Sequence, residues 1–488
     1  MKKLVYILVI AALLQACKAG KNYKGTEFNQ PTSYRMQDTL RTVAYDTINT
    51  DSLQLETSNL RWWKMYNDPV LDTLVKEAFA NNRNALIAAE NVLQSRYALK
   101  IQNAEMLPKF NADFQATRGN FLLNQVGPTS NLLLGTAGVS WEIDIWGKFR
   151  RLSEAARADL VASEYGYRGI MIALVSDVAS NYFDLLRAKK QYEIAKRNAK
   201  SRDSMTQIIQ ARYDKGIVPM IDVDQAKIQY AIAAGAIPQY RRQIVQLENS
   251  ISILLGKNPG PIETGKALSE QNDDLELPLE TPVQLLARRP DVIQAEYGVI
   301  AQNAITGAAK ANRLPSLSLT GIVGIAAPSF SQLTLKDPLW NLGGSLLAPL
   351  FYFGQLQRQV DIEESRTFQA VYQYQNTVFG AVAEVEDLLI AISTTKEEIA
   401  IAQERRRVAL EAQFLARERY DKGVTSYLEF LEQQRQAFDA ELLLEDLRAV
   451  LLTNQVQLYK ALGGGWLSEE EEQAAAEAEA EAQANNND

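Results

Sequence analysis

Arg212-Tyr213-Asp214-Lys215-Gly216 occurs twice in this chain, because residues 419–423 repeat all five letters. Three further landmarks return at the same spacing of 207 residues, which is too long for a solenoid repeat. They are Leu107-Pro108 with Leu314-Pro315, Trp146-Gly147-Lys148 with Phe353-Gly354-Gln355, and Leu255-Gly256 with Leu462-Gly463. The shared offset predicts a duplicated half-molecule.

Long helices precede both copies of the pentapeptide. Residues 153–212 and 356–419 contain no proline, and about 60 residues at 1.5 Å rise give roughly 90 Å of helix. Apolar residues recur at sevens in the second stretch, which predicts left-handed coiled-coil packing. Shorter helices, predicted over residues 222–255 and 291–312, would run back antiparallel to a long helix.

Short alternating stretches precede each long helix. Phe110, Ala112, Phe114 and Ala116 alternate with polar residues, and residues 139–145 alternate in the same way, with Glu142 and Asp144 opposite the apolar side chains. The Gly-Pro loop at 124–128 between them predicts a hairpin. Residues 317–323 repeat the first strand, and its partner near 342–352 alternates poorly and contains Pro349.

This alternation suits either a soluble sheet with one wet face or a membrane strand that is apolar outside and polar inside. Beyond the N-terminus we expect no apolar stretch long enough for a transmembrane helix, so strands must span any membrane. Four strands are too few to close a barrel, and an open backbone edge is not tolerated in lipid. Membrane-spanning strands would therefore require an oligomer.

The N-terminus predicts export. A charged start and an apolar run from Leu4 to Leu14 form a signal peptide over residues 1–16. Cys17, the only cysteine, follows Leu14-Gln15-Ala16 as in a bacterial lipobox, and we expect a diacylglycerol and an N-acyl chain there; the alternative is a free cysteine. Residues 17–58 are predicted to form a lipidated leash.

Composition excludes several functions. The chain has no histidine, which argues against an enzyme, a metal site and any cofactor other than the lipid. Eight acids in residues 469–488 account for the net charge of −8, and without them 51 acids face 51 bases. We therefore expect no nucleic-acid partner, and a disordered acidic tail over residues 466–488.

The two repeated turns are the candidate functional site. Gly216 and Gly423 are expected to end the long helices with positive φ, each four residues after an arginine, Arg212 or Arg419. Acidic residues then lie in the first turns of the returning helices. Their favourable interaction with the helix dipole is a sufficient structural explanation for acids at these positions. The functional interpretation is that Asp222, Asp224, Glu429 and Glu432 form a ring of carboxylates. Such a ring would narrow a pore and favour the passage of cations.

These residues resemble the TolC-type outer-membrane factors of tripartite efflux pumps, specifically the lipidated branch. The resemblance covers roughly residues 58–465 and rests, beside the duplication and the paired turns, on three segments. They are Trp62-Trp63 with Asp68-Pro69, Trp141-Glu142-Ile143-Asp144-Ile145-Trp146-Gly147, and Leu285-Leu286 with Arg288-Arg289-Pro290-Asp291.

The resemblance implies an α+β membrane protein. Three copies would form a twelve-stranded β-barrel continuous with a long periplasmic α-helical barrel, inserted in the bacterial outer membrane. It implies a passive duct for drugs or other small molecules, working with a periplasmic adaptor and an inner-membrane RND-type pump. Asp222 and Glu429 would line the periplasmic entrance, and Tyr420 would make gating contacts. Thr425 stands where some members carry an arginine of an ion-pair latch.

Two alternative functions stay open from the sequence: an outer-membrane duct for protein secretion, and a non-conducting periplasmic lipoprotein scaffold of coiled coils. The predicted domain order after the leash is a first structural repeat, an equatorial linker and a second structural repeat. Their limits are residues 59–256, 257–289 and 290–465.

Overall fold

A computed structural model describes residues 18–25, 62–122, 125–272 and 288–464. The predicted signal peptide, Cys17 and the acidic tail lie outside these residues, as does most of the predicted leash. The helices and strands of the first half are α1 (Pro69–Asn81), α2 (Arg83–Ala104), β1 (Lys109–Leu122), β2 (Gln125–Ile143), α3 (Lys148–Asp214) and α4 (Met220–Leu254). Those of the second half are α5 (Pro290–Ala311), β3 (Ser316–Ala327), β4 (Leu339–Leu347), α6 (Gln355–Asp421) and α7 (Tyr427–Ala461).

The duplication is visible in the helix limits. Helices α2, α3 and α4 return as α5, α6 and α7, and both ends of each helix are displaced by the offset of the sequence repeat. The long helices α3 and α6 each have 67 residues, or about 100 Å at 1.5 Å per residue. They begin earlier than the sequence predicts, at Lys148 and Gln355, directly after the Gly147 and Gly354 positions.

The four strands form one antiparallel sheet in the order β1-β2-β3-β4. The predicted first hairpin is confirmed, with Lys109 opposite Ser140, and its turn is tighter than predicted because β2 begins at Gln125. β4 covers Leu339–Leu347, so Pro349 follows the strand rather than interrupting it. β2 ends at Ile143, and Asp144 is therefore not the lumen-facing strand residue that the alternation predicts.

Asp144 instead caps a helix. Its carboxylate accepts hydrogen bonds from the backbone N–H groups of Phe149 at 3.2 Å and Arg150 at 2.9 Å, in the first turn of α3. Free N–H groups and the positive end of the helix dipole make this position favourable for an acid. The alternation of apolar and polar residues could not reveal this role, because it continues through Asp144 although the strand ends one residue earlier, at Ile143.

The register places one apolar face across all four strands. Phe114 lies opposite Gly135, which lies opposite Ile325, and Val323 lies opposite Trp340. The other face carries the polar side chains of Asn111, Asp113, Thr136, Ser318, Thr320 and Ser345, interspersed with the apolar side chains of Leu132, Leu134, Ile322, Leu339 and Leu347. Both β1 and β4 are edges with unpaired backbone groups among the described residues.

The described residues fall into two compact units. Of these residues, the first comprises 18–25, 90–122, 125–165 and 293–377, with the whole sheet; the second comprises 62–89, 166–272, 288–292 and 378–464. The core of the second unit is aromatic, and the Trp62 ring stacks on that of Tyr459 at 5.4 Å.

Buried Asp68 organises that core. Its carboxylate caps α1 by accepting from Val70 N at 3.0 Å, and it accepts further bonds from the Tyr182 hydroxyl at 2.7 Å and Gln271 Nε2 at 2.9 Å. The backbone N–H of Lys266 donates to it at 3.2 Å. One carboxylate therefore joins the start of α1, helix α3 and the first part of the predicted linker.

No apolar stretch long enough for a transmembrane helix was expected beyond the N-terminus, yet one helix of the described residues meets that test by length and composition. Within the described ranges, α3 contains an 18-residue window of mean hydropathy 1.3. Since 61% of that window is buried inside the protein, it has the character of a core helix.

Candidate functional site

Each long helix ends in the same glycine motif. Gly216 and Gly423 both have φ of 71°, as the sequence predicts. Ile217 N donates to Arg212 O at 2.9 Å and Gly216 N donates to Tyr213 O at 2.7 Å, and Val424 and Gly423 repeat this pattern. These paired bonds are a Schellman motif, which satisfies the last carbonyls and reverses the chain within a few residues.

An aromatic cluster joins the two turns within the second unit. The Tyr420 ring lies 5.5 Å from that of Tyr427 and stacks on Phe430 at 6.2 Å. These rings pack with Ile209 and Val223 from the first turn's helices, so all four helix ends share one small core. Burial raises the pKa of the Tyr427 hydroxyl to about 12, and Tyr420 and Asp222 add to the effect while Arg202 opposes it.

Arg212 links the first turn to the second. Its guanidinium lies 5.0 Å from the centroid of the Tyr420 ring, a cation–π arrangement, and its Nη2 lies 3.4 Å from Asp421 Oδ1. Tyr420 is 6% exposed, and its hydroxyl is buried beside the Arg212 side chain. Burial raises the pKa of this hydroxyl.

Glu429 is held by three neighbours in the second turn. Arg419 Nη1 lies 3.4 Å from its Oε1, and the Thr425 hydroxyl donates to its Oε2. Its backbone N–H donates to the Ser426 hydroxyl at 3.3 Å, so Ser426 is the N-cap of α7. The sequence carries the signal for this cap, a serine three residues before a glutamate.

The other predicted acids lie in different surroundings. Asp222 is in the first turn of α4, whose N-cap Pro219 makes no side-chain bond. Glu432 pairs with Arg435 at 2.7 Å, and the hydrogen bonds from Arg435 and Gln436 lower the pKa of its carboxyl. Asp224 is exposed. Among the described residues no group of three or more acidic, His or Cys side chains is arranged to hold a metal.

The chain therefore brings Arg212, Tyr420 and Asp421 together, and separately Arg419 and Glu429. The sequence indicates the turns but not the crossing contact, since Arg212 and Asp421 are 209 positions apart. Ion pairs between distant segments depend on tertiary packing, which the local pattern does not encode. The lining of a constriction by the acids stays a prediction.

A second cluster of hydrogen bonds lies in the first unit and holds the residues directly after Cys17. We name residues 18–21 the strap. Buried Arg151 donates from Nε to Ala19 O at 2.9 Å and from Nη2 to Gly20 O at 2.8 Å, and Ala19 N donates to Trp146 O at 2.9 Å. A Cβ on Gly307 would lie 2.8 Å from Arg151 Nε, so this close packing requires glycine.

A sheet with one apolar face and two open edges among the described residues, together with two long helices of equal length, is the arrangement that a membrane channel assembled from several copies requires. The family model for outer membrane efflux proteins matches residues 74–257 and again residues 281–464, so each half of the duplication is one match. The chain belongs to the outer membrane efflux protein family.

Individual relatives agree with this family assignment. The antibiotic efflux pump outer membrane protein ArpC of Pseudomonas putida is 31% identical over 475 residues, 96% of each chain. The cation efflux system protein CusC of Escherichia coli O6:H1 is 28% identical over 459 residues, 94% of this chain and 97% of CusC. A crystal structure of CusC covers 92% of this chain and 100% of its own, with 26% identity and a TM-score of 0.79.

The predicted fold class and internal duplication are confirmed. The fold is that of the family's trimeric channels, in which a β-barrel is continuous with a helical tunnel. The chain is an outer-membrane efflux channel whose helical part lies in the periplasm. The alternative of a non-conducting scaffold is set aside by this family membership.

Proposed function

We propose that three copies of this chain form a passive exit duct of a tripartite efflux system. The observation that carries the proposal is the sheet: one face is apolar, the other carries most of the polar side chains, and both edges are open among the described residues. Three copies of four strands make twelve, which is enough to close a barrel with the apolar face toward lipid and the polar face toward water.

Family membership supports the proposed partners. A periplasmic adaptor and an inner-membrane pump of the RND type supply the substrate, and the channel itself provides no energy. Small molecules are the substrate class, since the relatives named above belong to antibiotic and cation efflux systems. No described feature favours protein secretion over small molecules.

The paired turns are the proposed gate. Arg212 crosses from one turn to the other, and relative movement of the two turns would break its contacts with Tyr420 and Asp421. The carboxylates of Asp222, Asp224, Glu429 and Glu432 are the proposed ring at the entrance. Thr425 and Arg419 hold Glu429 inside its own turn, so a latch built on an arginine at position 425 is replaced by these shorter-range contacts.

The lipid on Cys17 is a second part of the proposal. The strap begins one residue after this cysteine, and its carbonyl groups are held by Arg151. Acyl chains attached at Cys17 would enter the same membrane as the barrel, with burial of each CH2 contributing about 0.8 kcal/mol.

Single-channel recording in planar bilayers tests the duct. Purified protein should insert as trimers and conduct ions in discrete steps. The double substitution Glu429→Ala with Glu432→Ala should weaken block by polyvalent cations, while Glu404→Ala, an exposed acid that pairs with Arg407 away from the turns, should not. Absence of conductance, even with Asp222 and Glu429 neutralised, would contradict the proposed duct.

A further inference from the structure

The two hairpins end differently although the chain is duplicated. Residues 328–338 connect β3 with β4, and we name this segment the outer turn. It begins with Pro328 and ends with Pro338, which offer no backbone N–H group to a strand ladder. The repeat has Phe121 and Asn131 at these positions, and there β1 and β2 continue toward a tighter connection. The prolines therefore end the strands of the second hairpin earlier than those of the first.

The outer turn folds back onto the apolar face of the sheet. Its Phe330 ring stacks on the ring of Phe114, with 6.4 Å between the centroids and 26° between the planes. Phe114 belongs to β1, so the turn crosses β2 to reach it. Gly135 of β2 lies opposite Phe114, and a Cβ on this glycine would lie 3.6 Å from Phe114 Cδ2. The Phe114 ring therefore lies over a position of β2 that has no side chain.

Burial agrees with this placement of the outer turn. Leu133 and Ala327 lie opposite each other on the apolar face, and they are 7% and 4% exposed. Every other strand residue whose side chain is described is half-buried or exposed. Because these two side chains point out of the sheet, only chain that lies on the same face can cover them, and the outer turn begins directly after Ala327.

The depth of Phe330 follows from the side chains of β1. The apolar face of this strand ends at Ala116, and Arg118 follows on the same face, opposite Asn131. A charge on a lipid-facing surface belongs at the level of the headgroups. Phe114 precedes Arg118 by about four strand residues, which is about 10 Å of depth at a rise of about 3.3 Å and a tilt of about 40°. Since the ring of Phe330 lies 6.4 Å from that of Phe114, it lies below the level of Arg118.

We propose that the outer turn inserts into the outer leaflet of the outer membrane, with Phe330 and Leu335 among the acyl chains of the lipids. The inference rests on the proposed function, because it takes the apolar face of the sheet to face lipid. The hairpin tips lie at the end of the strands away from α2, and the periplasmic location of the helices puts that end at the outer surface. Interfacial segments bury their apolar side chains about 5–10 Å into the boundary between headgroups and acyl chains, which agrees with the depth of Phe330.

The side chains of the outer turn fit this partner. Phe330 is 74% exposed and Leu335 is 81% exposed, which is unfavourable in water and favourable among acyl chains. The backbone N–H of Lys336 donates to the Thr334 hydroxyl at 3.2 Å, so the chain bends where the apolar side chains give way to a charge. A lysine at this point can reach lipid phosphates at the headgroup level. A turn anchored in this way on the outer face leaves the exit of the duct unobstructed.

Fluorescence quenching by lipids tests the insertion. Trimers of Phe330→Cys, labelled with bimane, are reconstituted into vesicles of phosphatidylcholine with brominated acyl chains, and the wild-type chain gives the background from Cys17. Brominated lipid should quench this label at least about fivefold more than a label at Ser130→Cys, an exposed position near the tip of the first hairpin. Iodide dissolved in the water should give the reverse order. Val323→Cys, on the apolar face of β3, reports whether the sheet itself faces lipid.

The outcomes separate this inference from the proposed function. A label at position 330 that iodide quenches, while lipid quenches the label at position 323, would overturn the insertion of the turn alone. A label at position 330 that neither quencher reaches would show that a second copy of the chain covers the turn, and would also overturn the proposal. A label at position 323 that lipid does not quench would refute the orientation of the sheet and both proposals with it. Lipid quenching at both positions without conductance would refute only the duct.

A second variant tests the anchoring side chains without a label. Phe330→Ser with Leu335→Ser leaves the strands unchanged, and in vesicles it should raise the rate of tryptic cleavage after Lys336 at least about fivefold. Ser331→Ala changes an exposed side chain of the same turn and should leave that rate unchanged. Equal cleavage rates in the two variants would contradict the role of Phe330 and Leu335 as the anchor.

Discussion

Removal of Arg212 should open the channel more than removal of Arg419. Arg212 makes an ion pair with Asp421 in which the side chains are 29% and 45% exposed, and such pairs contribute about 0.2–1 kcal/mol. Its cation–π contact with the buried Tyr420 ring adds about 0.5–2 kcal/mol. Together they stabilise the contact between the two turns by about 1–2 kcal/mol, which is a factor of about 5–30 in an equilibrium.

Arg419 provides the matched control, because it occupies the same position in the second copy of the pentapeptide. Its ion pair with Glu429 is 55% and 44% exposed and lies within one turn. We therefore expect Arg419→Ala to change the open-to-closed ratio by less than about 5-fold. Arg212→Lys should be intermediate, since lysine keeps the charge but lacks the planar group that stacks on the ring.

Single-channel open probability in planar bilayers measures these ratios. A double-mutant cycle of Arg212→Ala with Tyr420→Leu isolates the ring contact from the ion pair. An effect of Arg419→Ala that exceeds that of Arg212→Ala, or no coupling between Arg212 and Tyr420, would refute the assignment of the crossing contact as the restraint on opening.

Three further predictions concern the strap, the core and pH. Arg151→Ala should raise the rate at which trypsin cleaves the strap about tenfold, whereas substitution of its exposed counterpart, Arg358→Ala, should leave that rate unchanged. Equal cleavage rates in the two variants would contradict the role of Arg151 in holding the strap. Asp68→Ala removes a helix cap worth about 1 kcal/mol and leaves buried donors unpaired at about 1–3 kcal/mol each, so thermal denaturation should show a loss of about 3 kcal/mol or more. The raised pKa of Tyr427, about 12 against about 10 unfolded, gives stability that is complete below pH 10 and lost as pH rises toward 12. Denaturation midpoints across that range should fall less in Tyr427→Phe, and an equal fall would contradict this origin.

The long helices could be predicted because their signals are local. Freedom from proline, apolar residues at sevens and a glycine at each end give α3 and α6 to within a few residues, and Gly216 and Gly423 have the expected positive φ. The second hairpin was harder, since only the register of β4 with β3, and of β3 with β2, shows that Trp340 and Leu342 belong to the apolar face.

The site was less predictable than the fold. Ser426 and Glu429 have the sequence pattern of a helix N-cap, which is local and could be predicted. Arg212 contacts Tyr420 from the other half of the duplicated chain, and a contact between residues so far apart in sequence cannot be predicted from local patterns. The role of Asp144 was misassigned because alternation does not state where a strand stops. Asp222 and Glu429 lie in the first turns of the returning helices, as the sequence predicts.

The strap limits the distance between the folded chain and the proposed lipid on Cys17. Among the described residues Ala19 is the first whose backbone is held by hydrogen bonds, and only Lys18 separates it from Cys17. Two extended residues reach about 7 Å, which is small beside a hydrocarbon layer of about 30 Å. The proposed lipid on Cys17 would therefore stay close to the folded chain, and in the proposed trimer three such lipids would fix the level of the barrel in the bilayer.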